Sequence, residues 1–386
     1  MVKMLATIFR TSAGRPQQQL STAVQYNFAS LRAFQSSTLN AAIAHPVTAH
    51  GPPPKAPSLS PGFEKRTTQQ SKTESEPQLR PNKRATVLKK RFWKDVDVKQ
   101  KDGDFLFYAN KIIATDSCAG GDYQVLLDKR PVRTPSKSVL SVPSTKQHLA
   151  QAIALEWDVM NAAQQALKNH MIPLTSLTAR AADIAQEDAA AAAGAGVERV
   201  IRTQIVKTAM RYLETDTLLC WVPEQDHAVK DEETQKQETL REAQMRVAKD
   251  VIAFLSTKVW PGIDIVPVLD GNSIFPASQS QATKDIIRQW VEGLEAYDLA
   301  ALERGILASK SLLVAVRLVT EWSENFRQLQ QLSQKRFGIE EAAEASSLEV
   351  RWQTDMWGEV EDTHDVDKED LKRQLGSVIV LVAGLQ

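Results

Sequence analysis

Between residues 87 and 145, apolar and polar positions alternate in short runs. Val96 and Val98 share one face of such a run, and Tyr123, Val125 and Leu127 share one face of another. A period of two residues is the spacing of a half-buried β-strand. Glycine, proline and aspartate separate the runs, as expected for turns. This part of the chain therefore predicts a small antiparallel sheet of about four to six strands.

Two of these runs predict a hairpin. The first run ends at Leu127, Asp128-Lys129-Arg130-Pro131 turns the chain, and pairing resumes until Pro135. A two-residue type I′ turn favours Asp-Gly, so lysine at position 129 predicts a different or strained turn. Residues 139–142 predict a further short strand.

The period changes to that of a helix after Pro143. Ser144 is the expected N-cap of the first helix. Its buried stripe is predicted to contain Leu149, Ile153, Trp157 and Met160, which recur at helical spacing. This helix carries the tripeptide Glu-Trp-Asp near its end.

Helical spacing continues to the C-terminus. Further apolar stripes fall in residues 197–213, 240–255 and 286–294, and residues 299–322 predict one long helix buried on most sides. An alanine-rich insertion near residues 183–196 is expected to extend a helix into solvent. Strands first and helices afterwards predict an α+β fold, with a small antiparallel β domain at residues 87–145 and a larger all-helical domain at residues 146–386.

The first 86 residues have a different composition. Residues 1–45 contain Lys3, Arg10, Arg15 and Arg32 but no acidic residue, and the first acid is Glu64. Such a segment is typical of a mitochondrial transit peptide, and a merely disordered N-terminus is the alternative. Residues 46–86 are rich in proline and serine and predict a disordered linker. We expect the mature protein in the mitochondrial matrix.

The overall charge argues against several classes of partner. Lys+Arg and Asp+Glu number 47 each, so no global field favours nucleic acid. No apolar segment approaches the ~18 residues of a membrane span, so we expect no stable membrane insertion. Cys118 and Cys220 form no metal-ligand or disulfide pattern. We expect a monomer.

The sequence contains none of the usual catalytic motifs. The chain has no glycine-rich phosphate loop and no nucleophile elbow. The acidic run after Trp357 surrounds His364, but it lacks calcium-loop spacing and favours a solvated turn and helix start over a metal site. We predict no cofactor, no metal and no catalytic residue. A binding protein is favoured over an enzyme, and a matrix enzyme with a dispersed active site is the alternative.

Two tryptophans near the C-terminus are candidates for a binding surface. Trp352 and Trp357 alternate with Glu349, Arg351 and Asp355. Tryptophan and arginine are enriched at binding hot spots, while core packing is the other interpretation.

Several segments together resemble the mitochondrial F₁-ATPase assembly chaperone family, the members that escort the ATP synthase alpha subunit. The resemblance runs from about Phe92 to the C-terminus, and its main departure is Lys129 in place of a turn glycine. The segments are LLDKRPVRTP from Leu126, VPS from Val142, LEWD from Leu155, MIPLTSLTARAAD from Met171, YLETDTLLCW from Tyr212 and LEVRWQTDMWGEVEDTHD from Leu348.

The resemblance implies a non-enzymatic chaperone. Such a protein binds the free alpha subunit of F₁ and prevents its aggregation until it pairs with the beta subunit. Glu349 opens the family's C-terminal block and is the expected functional acid, with Asp355 as the fallback. The expected partner-binding residues are Glu349, Trp352, Asp355, Trp357, Glu156, Trp157 and Asp158.

Overall fold

The structure is a computed structural model. It describes residues 90–101, 107–108, 111–112, 121–194, 196, 198–224, 238–271, 273, 275–330 and 335–384. These residues all fall within one compact unit, Pro77–Gln386. The predicted transit peptide and most of the predicted linker precede that unit, and both lie outside the described residues.

The strands form small antiparallel sheets. In the described residues, one sheet has the order β1-β4-β5 and a second pairs β2 with β3. The antiparallel prediction is confirmed. The strands are β1 (Val96–Gln100), β2 (Phe107–Tyr108), β3 (Lys111–Ile112), β4 (Tyr123–Leu127) and β5 (Arg130–Pro131).

Strand β4 is the centre of the larger sheet. Val98 on β1 stands opposite Val125 on β4, and both side chains are buried, as the alternation predicts. The predicted strand at residues 139–142 makes only isolated bridges, from Val139 to Arg133 and from Val142 to Tyr123.

The β4–β5 hairpin explains how the chain tolerates Lys129. Of the two turn residues, only Asp128 has a positive φ, 57°, so the turn is not type I′. Aspartate adopts this left-handed region more readily than most residues. Its carboxylate also accepts the N–H groups of Lys94 and Asp95, at 2.9 and 3.0 Å. These bonds lower the pKa of Asp128 and tie the turn to the segment that enters β1.

Helices make up most of the remaining described chain. The α-helices are α1 (Gln147–Asp158), α2 (Pro173–Ala192), α3 (Val200–Leu213), α4 (Leu240–Phe254), α5 (Gln281–Glu292), α6 (Ala296–Ser309), α7 (Leu312–Trp322), α8 (Ile339–Trp357) and α9 (His364–Val382). Shorter 3₁₀ helices include Ser144–Lys146, Ala163–Leu167 and Thr217–Leu219, and a π-helical turn, Leu255–Val259, continues α4.

Helices α6 and α7 form the centre of the core. Leu302 and Ile306 on α6 and Leu313 and Val316 on α7 are buried almost completely. Helices α9 and α2 pack against α6, and the inner face of the sheet joins the same buried cluster. The α+β prediction is confirmed, while the predicted boundary between two domains stays a prediction.

The prediction of one long helix over residues 299–322 is wrong. Lys310 has φ 59° and ends α6 in the left-handed conformation. Ser311 then caps α7 by accepting the N–H of Val314. The buried carboxyl of Asp216 accepts the N–H of Leu313 at 3.0 Å. Two apolar helices therefore meet at a capped turn, which hydrophobic periodicity alone does not reveal.

The predicted Ser144 cap is also wrong. Ser144 lies inside a 3₁₀ turn whose N-cap is Pro143, and α1 begins at Gln147.

The structure agrees with the prediction for the alanine-rich segment. Helix α2 continues to Ala192, and its last buried residue is Ile184, so the alanine-rich residues extend the helix into solvent.

Candidate partner-binding surface

Helix α8 divides into a packed half and an unpacked half. Its first turn is capped by Glu341, whose carboxylate accepts the N–H of Gly338 at 2.9 Å. This half buries only three alanines, Ala342, Ala343 and Ala345.

A kink at Ser347, with φ −121° and ψ 15°, separates the halves. The hydroxyls of Ser346 and Ser347 donate to the carbonyls of Ala342 and Ala343, four residues back, at 2.6 and 2.7 Å. Serine bonding of this kind often bends a helix.

Beyond the kink the chain forms a helical projection. We call residues 348–370 the α8–α9 tip; it comprises the second half of α8, the turn and the start of α9. None of its residues is buried. Apolar side chains are nevertheless present, and Met356 and Trp357 are 65% and 80% exposed. A contiguous exposed apolar patch on a soluble protein marks an interaction site or an aggregation hazard.

The α8–α9 tip is strongly acidic. It contains nine Asp and Glu residues against two Lys and Arg residues, so its formal charge is 2 − 9 = −7. The balanced charge of the whole chain conceals this local excess. A partner that covers the tip must therefore combine an apolar centre with basic groups around it.

The two candidate acids on α8 have different surroundings. Asp355 lies 3.9 Å from Arg351, which also lies 3.5 Å from Glu344. Glu349 accepts a hydrogen bond from Gln353 at 3.2 Å but has no basic partner among the described residues. It lines a cleft of about 180 Å³ between α4, α8 and the Thr217–Leu219 turn. The sequence-predicted acid Glu349 is thus the one whose charge is free to pair with a partner.

The two candidate tryptophans also differ. Trp352 is half-buried, whereas Trp357 is among the most exposed apolar side chains described. The core-packing interpretation therefore fails for Trp357.

The remaining three candidates lie at the end of α1, and their strongest contacts are internal. Glu156 accepts the backbone N–H groups of Leu174 and Thr175 at 2.6 and 2.9 Å, and the Thr175 hydroxyl at 2.8 Å. It thereby caps the N-terminus of α2, where a negative charge is favoured. Burial raises the pKa of Glu156, and the three hydrogen bonds oppose that rise.

Trp157 connects the end of α1 to Trp93, in the segment that precedes β1. Its ring meets the buried Trp93 ring edge-on at 5.4 Å, and its indole N–H donates to Thr175 at 3.1 Å. The Trp93 indole N–H donates in turn to the Trp157 carbonyl at 3.2 Å. Trp157, predicted on the buried stripe, is half-buried and holds the end of α1 against Trp93 and α2.

Asp158 is mostly exposed, and the Arg91 guanidinium lies 3.6 Å from its carboxylate. Arg91 also donates to the Asp158 carbonyl at 2.7 Å. The structure thus explains Glu-Trp-Asp by folding contacts, and a partner-binding role for these three residues stays a prediction.

Known proteins are similar to this chain over much of its length. A family model described as ATP12 chaperone protein matches residues 90–256. A curated fission yeast protein, "Protein atp12, mitochondrial" of Schizosaccharomyces pombe, is 30% identical over 295 residues, which cover 76% of this chain and 81% of that protein. The chain belongs to the ATP12 chaperone family.

Two further proteins are similar to this chain. "Protein ATP12, mitochondrial" of Saccharomyces cerevisiae is 29% identical over 268 residues, or 67% of this chain and 78% of that protein. A putative chaperone from Agrobacterium tumefaciens, Atu1473, has a similar fold, with a TM-score of 0.50 at 20% identity. The match covers 76% of this chain and 85% of the bacterial one.

The described part of this chain lacks two other kinds of feature. It contains no group of three or more His, Cys, Asp or Glu side chains placed to hold a metal ion. Within the same residues, no helix combines the length and the apolar character needed to cross a bilayer.

Proposed function

We propose that this protein is an assembly chaperone for the F₁ sector of mitochondrial ATP synthase and that the α8–α9 tip binds the free alpha subunit. One observation carries the proposal. The α8–α9 tip has no buried residue, and it exposes Trp357 and Met356 in a segment that contains nine Asp and Glu residues. Membership in a chaperone family and the likeness to alpha-subunit escorts in residues 348–365 support this choice of client.

The chemistry of the tip suits temporary protection. An unassembled subunit exposes an apolar face that later meets its neighbour, and such a face promotes aggregation until it is covered. The exposed Trp357 ring supplies apolar area, and the acids attract a basic rim. Charged contacts speed association and contribute specificity, while a small apolar contact permits exchange when the beta subunit arrives. Binding of this kind requires neither nucleotide hydrolysis nor a cofactor.

The proposed location is the mitochondrial matrix. The acid-free segment at residues 1–45, with Lys3, Arg10, Arg15 and Arg32, supports import. The two curated relatives carry the word mitochondrial in their names.

Aggregation of the alpha subunit tests the proposal directly. Purified alpha subunit is diluted from denaturant, and light scattering is followed with and without an equimolar amount of this protein, in the absence of ATP. We expect scattering to be suppressed and then to stay low when beta subunit is added, with alpha/beta pairs forming. Unchanged scattering with the intact protein would refute the proposed function.

Two matched substitutions locate the surface. Trp357→Ala should lose most of the suppression, whereas Phe275→Ala, at a side chain that is 83% exposed elsewhere on the protein, should keep it. Equal activity of the two variants would place the client on another surface.

A further inference from the structure

A second cluster of exposed apolar side chains lies outside the α8–α9 tip. Among the described residues, 15 large hydrophobic side chains are exposed. Five of them lie in residues 350–366 and four in residues 155–171, so two stretches of 17 residues hold nine of the 15. Single exposed hydrophobic residues are normal on any surface, but clusters of this density mark contact sites.

The second cluster forms one corner of the fold. Leu155 and Val159, 63% and 65% exposed, lie one helical turn apart on the outer face of α1. Leu167, 72% exposed, ends the following 3₁₀ helix, and Met171 follows shortly after. The side-chain carbonyl of Gln165 accepts the N–H groups of residues 161 and 162, which caps the N-terminus of this 3₁₀ helix a few residues after the end of α1. We call these four apolar residues the α1 edge.

The Glu156-Trp157-Asp158 tripeptide uses its contacts on the inner side of α1, so the side chains of the α1 edge remain exposed to solvent. Glu156 and Trp157 turn toward α2 and Trp93. Leu155 and Val159 occupy the other side of the same helical turns and stay exposed. A segment with such specific inner contacts holds these outer side chains in fixed positions, which lowers the entropic cost of binding a partner.

Arg373, three residues beyond the α8–α9 tip, links that tip to the segment of the α1 edge, because its guanidinium donates both to the Asp370 carboxylate of the tip and to the backbone of His170. Arg373 on α9 donates to the carbonyl of His170 at 2.8 Å, and His170 immediately precedes Met171. Val366, an exposed apolar residue of the tip, lies seven residues before Arg373, which is two helical turns or about 10 Å along the same face of α9. The ends of the two apolar clusters at Met171 and Val366 therefore lie near each other on the surface.

We infer that the α1 edge and the α8–α9 tip form one docking surface and that both contact the same polypeptide, the alpha subunit. This inference rests on the proposed function. The two parts differ in charge, because the tip has a formal charge of −7 whereas residues 155–171 hold Lys168 against Glu156 and Asp158, a formal charge of 1 − 2 = −1. The matching surface of the alpha subunit is therefore an apolar strip with basic groups at the end that meets the tip. This asymmetry fixes the orientation in which the alpha subunit binds.

Site-specific photo-cross-linking tests the inference in the full-length protein. A benzophenone amino acid is placed at position 155, 167, 357 or 275, and each protein is irradiated with purified alpha subunit. We expect positions 155, 167 and 357 to cross-link to the alpha subunit and position 275 to give no product. Leu167→Asp should weaken alpha-subunit binding at least tenfold, and Phe275→Asp should change it less than twofold.

The outcomes separate the inference from the proposed function. Cross-linking at 357 without cross-linking at 155 and 167 would overturn the shared surface and leave the proposed function intact. Products that join 155 or 167 to this protein's own residues, or to a second copy, would also overturn it. Failure at all positions, together with no binding by the unmodified protein, would overturn both.

Discussion

Glu349 and Asp355 are six residues apart on α8 and differ in one respect that a substitution can detect. Asp355 lies near Arg351, whereas Glu349 forms no ion pair in the described part of the chain. The Glu349→Gln variant keeps the shape and removes the charge. We expect its free energy of unfolding to change by less than about 0.5 kcal/mol, as for most surface positions.

Capture of the alpha subunit by Glu349→Gln should weaken by about 2–5 kcal/mol if the charge is desolvated against a basic group in the complex. Glu198→Gln, at an exposed acid outside the tip, is the matched control. Titration calorimetry with alpha subunit measures both variants. Equal affinities of the two variants for the alpha subunit would show that Glu349 does not contribute to binding. The functional residue would then be Asp355 or one of the apolar residues.

Trp157 and Trp357 form a second informative pair. Trp157 packs on Trp93 and donates to Thr175, so Trp157→Ala should lower the free energy of unfolding by about 3 kcal/mol. Trp357→Ala should leave stability within about 0.5 kcal/mol, because the ring is exposed. Chemical denaturation of both variants measures this difference. A stable Trp157→Ala variant would contradict the anchoring role.

Asp216 predicts a pH dependence. Its carboxyl is buried and accepts the N–H groups of Leu218 and Leu313, and burial raises its pKa to about 6. A raised pKa means that the folded state favours the protonated form. The corresponding stability is fully present below the unfolded pKa of about 4 and is lost as the pH rises through about 6.

The Asp216→Asn variant cannot ionise and should lack this component. The stability of the intact protein relative to the variant should therefore fall between pH 4 and pH 7, by on the order of 3 kcal/mol. Urea unfolding at several pH values measures both proteins. Parallel pH profiles would show that Asp216 has an ordinary pKa.

At the scale of elements, the α8–α9 tip contrasts with the central helices. Segments with few buried contacts open with low free energy, whereas core helices open only with global unfolding. Hydrogen exchange should therefore be fast in residues 348–370 and slow in residues 299–319. Addition of alpha subunit should slow exchange in the tip. If the amides of the tip exchanged as slowly as those of the core in the absence of the alpha subunit, the tip would not be a segment with few buried contacts.

At the scale of the whole molecule, Lys146 joins regions that are distant in sequence. Its ammonium group is buried, donates to the carbonyls of Val382 and Ala383 at 2.9 and 3.1 Å, and lies 2.8 Å from Glu324. The start of α1 is thus tied to the end of α9, 236 residues later. Removing one partner of a buried ion pair leaves an uncompensated charge.

Lys146→Met should therefore lower the free energy of unfolding by about 3–5 kcal/mol. Adding Glu324→Gln removes the unpaired carboxylate and should recover part of that loss. Thermal unfolding of the two single variants and the double variant measures the coupling. Strict additivity of the two changes would contradict a direct interaction.

The sequence by itself determined the local patterns of this protein. A period of two at Val96, Val98, Tyr123 and Val125 predicted the antiparallel sheet, because alternation places side chains on opposite faces of a strand. A period of 3.6 placed most of the helices, and motif order indicated the chaperone family. The sequence also suggested Glu349 and Trp357 as binding candidates, Glu349 because it opens the family's C-terminal block and Trp357 because tryptophans alternate with charged residues there, but it left core packing open as the other interpretation.

The tertiary structure decided which of these side chains are free. The apolar pattern from Leu299 to Trp322 fits one long helix as well as two shorter ones. The caps made by Asp216 and Ser311 at the start of α7 show that there are two. Glu156 resembles a surface acid in sequence, yet it caps a helix that begins 17 residues later. The exposure of Leu167 and Trp357 depends on which distant segments pack against these residues. Burial is a property of contacts between distant segments, so no local pattern could supply it.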